Sequence, residues 1–214
     1  DQPRSRGLGD VYKRQDKVKI AYVGIGNRGE QIIGDFARTG MVEVVALCDV
    51  DMGAPHTQKV MNMYPKAKRF RDFRQMFDKA GNDFDAVAIA TPDHSHFPIT
   101  MLALASGKHV YVEKPLARTF YEAELLMQAA LKRPNLVTQV GNQGHSEANY
   151  FQFKAWMDAG IIKDVTAVTA HMNNPRRWHG WDSGIYKLPS GQQLPNDMDL
   201  SLIHISEPTR PRLI

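Results

Sequence analysis

The chain has one cysteine among its 214 residues, Cys48. A single thiol forms no internal disulfide, and its apolar neighbours make it a small core residue. No apolar run approaches the ~18 residues that a membrane-spanning helix needs. Charge of one sign is also scarce. The net charge is +4; residues 1–15 contribute +2 and residues 201–214 contribute +1, which leaves +1 for the middle. A near-neutral middle offers no electrostatic footprint for nucleic acid, and no membrane partner is expected either. His94 and His96 form an H-x-H, but no Cys, Asp or Glu set with ligand spacing completes it, so no metal is expected. Internal repeats and low-complexity tracts are absent. Hydrophobic content of 43% and charged content of 23% are those of an ordinary globular protein.

What is present begins at Lys17. Val18, Ile20, Ala21, Tyr22 and Val23 form a short apolar run, as in a strand buried on both faces. Gly24-Ile25-Gly26-Asn27-Arg28-Gly29 follows, a G-x-G-x-x-G. Ile32, Ile33, Phe36 and Ala37 then recur at helical spacing, with Gly40 as a stop. A strand, a glycine turn and a helix are the context in which this motif holds a dinucleotide. Gly24 allows the tight turn, Gly26 lets a pyrophosphate approach the backbone, and Gly29 lets helix and strand pack closely. Asp49 ends a second apolar strand, Val42–Cys48, twenty residues after Gly29. A carboxylate there bonds the ribose hydroxyls and repels a 2′-phosphate, so NAD is expected rather than NADP.

The rest alternates. Helical spacing over 54–63, a strand near 68–70, a helix over 72–79 and a strand at 85–90 lead to Thr91-Pro92-Asp93-His94-Ser95-His96. A helix from about Phe97 to Ser106 and a strand at 109–112 then lead to Glu113-Lys114-Pro115. Thr119 and Glu122 form a capping box for a helix to Lys132. A strand at 136–140 ends in Gly141-Asn142-Gln143-Gly144-His145, and a helix runs to Asp158. The last strand, 164–172, alternates and reads as the first strand of a further, antiparallel sheet. The fold class is therefore α/β: a Rossmann doubly wound parallel sheet, then the truncated start of a second α/β domain with an antiparallel sheet. Ligands of such sheets sit beyond the carboxyl ends of the strands, where the polar clusters fall.

Four stretches resemble the Gfo/Idh/MocA family of nicotinamide-dependent oxidoreductases: VGIGNRG at 23–29, CDVD at 48–51, ATPDHSHFPI at 90–99 and GKHVYVEKPLA at 107–117. The resemblance covers about residues 17–172. It implies a Rossmann domain and a C-terminal α/β domain that covers a sugar or cyclitol substrate and mediates a homo-oligomer. It also implies roles. Gly24, Gly26, Asn27, Arg28 and Gly29 would cradle the pyrophosphate, and Asp49 would hold the adenosine ribose. Thr91, Pro92 and His96 would line the cofactor path. Glu113 and Lys114 would sit at the nicotinamide, with Lys114 catalytic, and Asn142 and Gln143 would approach the same end. The family's later aspartate/histidine motif has no match here. GNQGHS and PRRWHGWDSG (175–184) look most like an often exported branch close to NAD-dependent glycosidases that cleave α-N-acetylgalactosamine.

The two ends read differently from the middle. Residues 1–15 and 201–214 carry no period, and both resemble translated sequencing-adapter DNA at the ends of assembled metagenomic fragments. The expected partition is a non-native leader at 1–15, an NAD(P)-binding Rossmann domain at 16–143, a truncated start of a substrate domain at 144–200, and a non-native tail at 201–214. Neither end offers an amphipathic pattern to bury, so neither is expected to make packed contacts. The compartment, cytoplasmic or periplasmic, stays open.

A hydride transfer needs a held nicotinamide, a group that takes the hydroxyl proton, and stabilisation of charge on oxygen. Lys114 serves the last two if it is buried beside the nicotinamide. Glu113 either anchors its turn or touches cofactor. Arg176, Arg177, Trp178 and Trp181 either stack on a sugar or pack on their own domain. Three activities follow: a dehydrogenase of sugars or cyclitols, a glycosidase that oxidises its substrate transiently, and a non-catalytic NAD sensor.

Overall fold

The computed structural model describes residues 17–170, 193, 195–199 and 201–202. The expectations for residues 1–15, for Arg176–Trp181 and for most of the tail lie outside them. Two compact units emerge. Among the described residues, one takes in 17–141 with 195–199 and 201–202; the other begins at Asn142.

The first unit alternates strictly: β1 (Val18–Val23), α1 (Arg28–Arg38), β2 (Val42–Cys48), α2 (Pro55–Met63), β3 (Lys68–Phe70), α3 (Phe73–Ala80), β4 (Ala86–Ile89), α4 (Asp93–Ala105), β5 (His109–Glu113), α5 (Phe120–Leu131) and β6 (Thr138–Gly141). Every strand pairs in parallel, in the order β3-β2-β1-β4-β5-β6. The apolar run of β1 has its cause in this topology. Ile20 and Tyr22 pack with Ile32, Ile33, Val60 and Met61 of α1 and α2. Ala21 and Val23 face the opposite layer, with Met76, Phe77, Ile99 and Leu104 of α3 and α4. Strand order reverses between β1 and β4, and that reversal opens the crevice in which doubly wound sheets hold ligands. Three bonds align the strand ends along this edge: Gly24 N–H to Cys48 O (2.8 Å), Asp49 N–H to Phe70 O (3.1 Å) and Ala90 N–H to Val23 O (2.8 Å).

The helix ends follow local chemistry. Thr119 and Glu122 form the reciprocal capping box of α5. Asp72 caps α3: its Oδ1 accepts the Arg74 N–H at 2.9 Å, and the Arg74 side chain grips both carboxylate oxygens. Those bonds from Arg74, above all from its side chain, hold the Asp72 carboxyl below the usual carboxylate range. A carboxyl lowered by folding stabilises above the unfolded pKa, about 3.9, and that stability is lost as pH falls through the folded value. Asp72→Ala is therefore expected to cost about 1 kcal/mol at neutral pH. Urea titrations should show this difference from the parent shrinking below about pH 4.

Three expectations shift. Helix α4 starts at Asp93, four residues before Phe97, with Pro98 inside it. Pro98 forgoes one N–H donor near the helix start, and the burial of Ile99, Ala103 and Leu104 holds the helix regardless. Strand β6 begins at Thr138 rather than 136, where the register with β5 starts: Val110 faces Thr138. In the second unit α6 (Ala148–Asp158) forms as read, but residues 164–170 are not a strand. Val165 and Val168 are exposed. Alternation alone makes no strand, because a strand exists through the ladder of a neighbour, and these residues have none among the described ones.

Candidate functional site

The glycine turn is built by close approach. Gly24 has φ +78°, and a Cβ on it would lie 2.6 Å from Ala90 O. A Cβ on Gly29 would lie 2.0 Å from Gly24 O, so the first turn of α1 presses directly on the end of β1. A Cβ on Gly26 would meet the His56 ring at 2.2 Å, which places the start of α2 over the turn. Asn27 sits at φ 45° as the N-cap of α1 and makes no side-chain cap bond.

Asp49 locks the turn to the second strand. Its Oδ2 accepts the Ile25 N–H at 2.9 Å and its Oδ1 accepts the Asp51 N–H at 3.0 Å. Burial pushes the carboxyl above its usual range, against the pull of those two N–H bonds. Each oxygen keeps a lone pair for a further donor, such as a ribose hydroxyl.

Beside this carboxylate a cavity of about 280 Å³ opens at the reversal point, with Gly24, Asn27, Asp49, His56, Arg71 and Thr91 on its wall. That volume lies near the lower end of small-molecule pockets. The Thr91 hydroxyl is buried without a partner among the described residues. A glycine cradle, a half-buried carboxylate and an orphaned hydroxyl fit a dinucleotide. Pro92, the N-cap of α4, is on the same wall.

Other candidate residues take bracing positions. His96 is buried: Nδ1 lies 2.6 Å from Pro115 O and Nε2 lies 2.8 Å from Thr91 O. Its ring ties the loop after β4 to the turn after β5. The Arg28 side chain is turned to its neighbours, with Nη1 donating to Gln31 Oε1 at 2.9 Å. Its Nε and Nη2 donate to Glu113 Oε1 at 3.0 and 2.9 Å. Glu113 is 4% exposed, and it also accepts the Tyr111 hydroxyl at 3.3 Å and the Lys114 N–H at 3.3 Å. Burial first, and the Glu113 charge next, push the Tyr111 hydroxyl up. Gly141 leaves room for this cluster, since a Cβ there would lie 2.4 Å from the Tyr111 oxygen. Glu113 therefore anchors its turn, one of its two expected roles.

Lys114 follows directly, before a cis bond to Pro115, and is exposed rather than buried. Asn142 and Gln143 open the second unit and are exposed there. Sequence reasoning missed His56, Arg71 and the half-buried Leu202, all on the cavity wall. Arg71 was within reach, since it directly follows β3 and every strand end lies on this edge. Leu202 departs from the expectation that the tail makes no packed contacts.

A family model described as oxidoreductase family, NAD-binding Rossmann fold, matches residues 18–142. An inositol 2-dehydrogenase of Salmonella typhimurium (strain LT2) is 31% identical over 147 residues, 68% of this chain and 43% of that protein. A glycosyl hydrolase family 109 protein of Streptomyces niveus is 30% identical over 197 residues, 87% of this chain and 39% of that protein. The crystal structure of scyllo-inositol dehydrogenase from Lactobacillus casei, with bound NAD(H) and scyllo-inositol, superposes with a TM-score of 0.62 at 29% identity. It covers 71% of this chain and 44% of that one. The chain thus spans about two fifths of the length of the relatives it matches.

Proposed function

Because the chain belongs to the Gfo/Idh/MocA family of oxidoreductases with an NAD-binding Rossmann fold, we propose that it serves hydride transfer between NAD and a hydroxyl carbon of a sugar or cyclitol. The observation that carries this reading is Asp49, a carboxylate fixed by Ile25 and Asp51 at the mouth of the glycine turn. In that place it accepts both ribose hydroxyls. Gly24, Gly26, Asn27 and Gly29 take the pyrophosphate, and Thr91 and Pro92 line the way to the nicotinamide. Arg28, Glu113 and His96 act as positioning residues: they hold the glycine turn, the loop after β4 and the Lys114 turn against one another.

Hydride acceptance is the chemistry NAD supplies when bound. This chain's own part is to orient the dinucleotide and, once bound cofactor and substrate cover the Lys114 side chain that is exposed here, to take the hydroxyl proton and steady the charge on oxygen through it. Asn142 and Gln143 are assigned to the nicotinamide end by family resemblance alone. The proposed domain division stays at 143/144, with the substrate domain beginning after it.

A second reading is favoured by the glycosyl hydrolase family 109 relatives, one of which aligns over 87% of the chain. In it, a ring hydroxyl would be oxidised to a ketone, the glycosidic substituent would leave by elimination, water would add in its place, and the ketone would be reduced back to the hydroxyl; NAD would supply only the acceptance and return of the hydride. Two assays separate the readings. Net growth of NADH absorbance with inositols or free sugars supports the dehydrogenase. Release of an aryl group from an aryl α-N-acetylgalactosaminide without net NADH supports the glycosidase. NAD binding with neither signal leaves a sensor.

The cofactor assignment has its own check by calorimetric titration. The parent is expected to bind NAD more tightly than NADP, and Asp49→Ala to weaken NAD more than NADP. Tighter NADP binding by the parent would refute it.

A further inference from the structure

The cavity wall beside Asp49 carries a guanidinium that the sequence places far away. Arg71 follows β3 directly, and the register of Cys48 with Phe70, together with the Asp49 N–H to Phe70 O bond, sets residue 71 at the outer side of the Asp49 turn. It lines the same cavity as Asp49. An arginine near the ribose is the residue type that accommodates a 2′-phosphate. Taken alone, Arg71 would work against the discrimination that Asp49 provides.

It is not alone. The segment 195–199 returns to the loop after β2. Met198 bridges Asp51 antiparallel, and the Asp199 N–H donates to Val50 O at 3.2 Å. The Asp197 side chain lies over Gly53, where a Cβ would come within 2.4 Å of it. So seated, Asp197 Oδ1 is 3.8 Å from Arg71 Nη2.

Building on the NAD reading above, we infer that Asp197 is a second specificity-determining residue of the dinucleotide site. It occupies Arg71 and so removes the cation that would otherwise attract a 2′-phosphate. Dinucleotide choice in this chain is then set by two carboxylates on separate segments. Asp49 acts on the ribose hydroxyls, and Asp197 acts on the neighbouring arginine. Gly53 is part of the device, because a side chain there would push Asp197 away.

The pair is half exposed, with side-chain exposures of 45% and 66%, so its effect is modest and salt-sensitive. The test is calorimetric titration of the full 214-residue chain with NAD and with NADP, at low and at high ionic strength. Asp197→Asn, close in size, is expected to tighten NADP roughly two- to fivefold at low salt and to leave NAD within about twofold. The gain should shrink at high salt, and adding Arg71→Ala should cancel it. A merely structural role for Asp197 would weaken both dinucleotides together and would not respond to Arg71. An unchanged NADP-to-NAD ratio in Asp197→Asn, with the parent preferring NAD, would overturn the inference and leave the NAD reading standing. A parent that binds neither dinucleotide, or prefers NADP, would overturn both.

Discussion

Gly29→Ala is expected to abolish NAD binding and to lower stability by roughly 1–3 kcal/mol. The methyl group would lie 2.0 Å from the carbonyl oxygen of Gly24. Both partners are backbone, so no rotamer change relieves the overlap. Relief requires α1 to move off the end of β1, and that movement opens the glycine turn and strains the Arg28–Glu113 bridge beside it. Gly26→Ala makes the contrast. Its methyl would meet the tip of the His56 side chain, which can swing aside. Stability should then stay within about 1 kcal/mol of the parent, while NAD binding is still lost, because the methyl fills the space through which a pyrophosphate approaches. Denaturant titration and calorimetry on the two variants separate fold from site. Equal loss of stability in both, or retained NAD binding in Gly29→Ala, would contradict this account of the turn.

Lys114→Ala is expected to lower turnover by about a hundred- to ten-thousandfold, with NAD affinity within about twofold of the parent. The separation follows from placement. The groups proposed to hold the dinucleotide are the glycine turn, Asp49 and Thr91, and Lys114 makes no part of that cavity wall. Its backbone N–H bonds Glu113 at 3.3 Å, and this bond survives the truncation, so the turn should keep its shape. Steady-state rates paired with NAD titrations read the two effects separately. A large loss of NAD affinity would place Lys114 in the cofactor site instead, and unchanged turnover would remove it from the chemistry.

The parts of the fold that local patterns dictate were legible in the chain. The apolar run of β1 needs a helix layer on each face, and it has them. The Thr119–Glu122 box and the glycine stops act within one turn of a helix, so a short window contains all of their physics. The strand read at 164–172 failed over 164–170 because its test is a neighbour, not a pattern. The site divided in the same way. Gly24 and Gly29 stand at the close backbone approaches that the motif encodes, and Asp49 accepts the Ile25 N–H within it. Arg28 reads as a phosphate ligand in the motif, yet its partner Glu113 lies 85 residues away. His96 reads as a polar helix start, yet two carbonyls from separate loops enclose its ring. Arg71 and His56 belong to no motif, and only the folded edge brings them to the cavity; Asp197 meets Arg71 from a separate segment.

The most direct test of the central claim is to map the amide resonances of the full chain by heteronuclear NMR as NAD is added. The account predicts saturable shifts concentrated at Ile25–Gly29, at 49–51 and at 91–95, which together rim the cavity at the strand reversal. The same titration of Asp49→Ala should require far more NAD to reach them. Shifts centred elsewhere on the molecule, or no saturable shift at millimolar NAD, would contradict the assignment of this edge as the dinucleotide site.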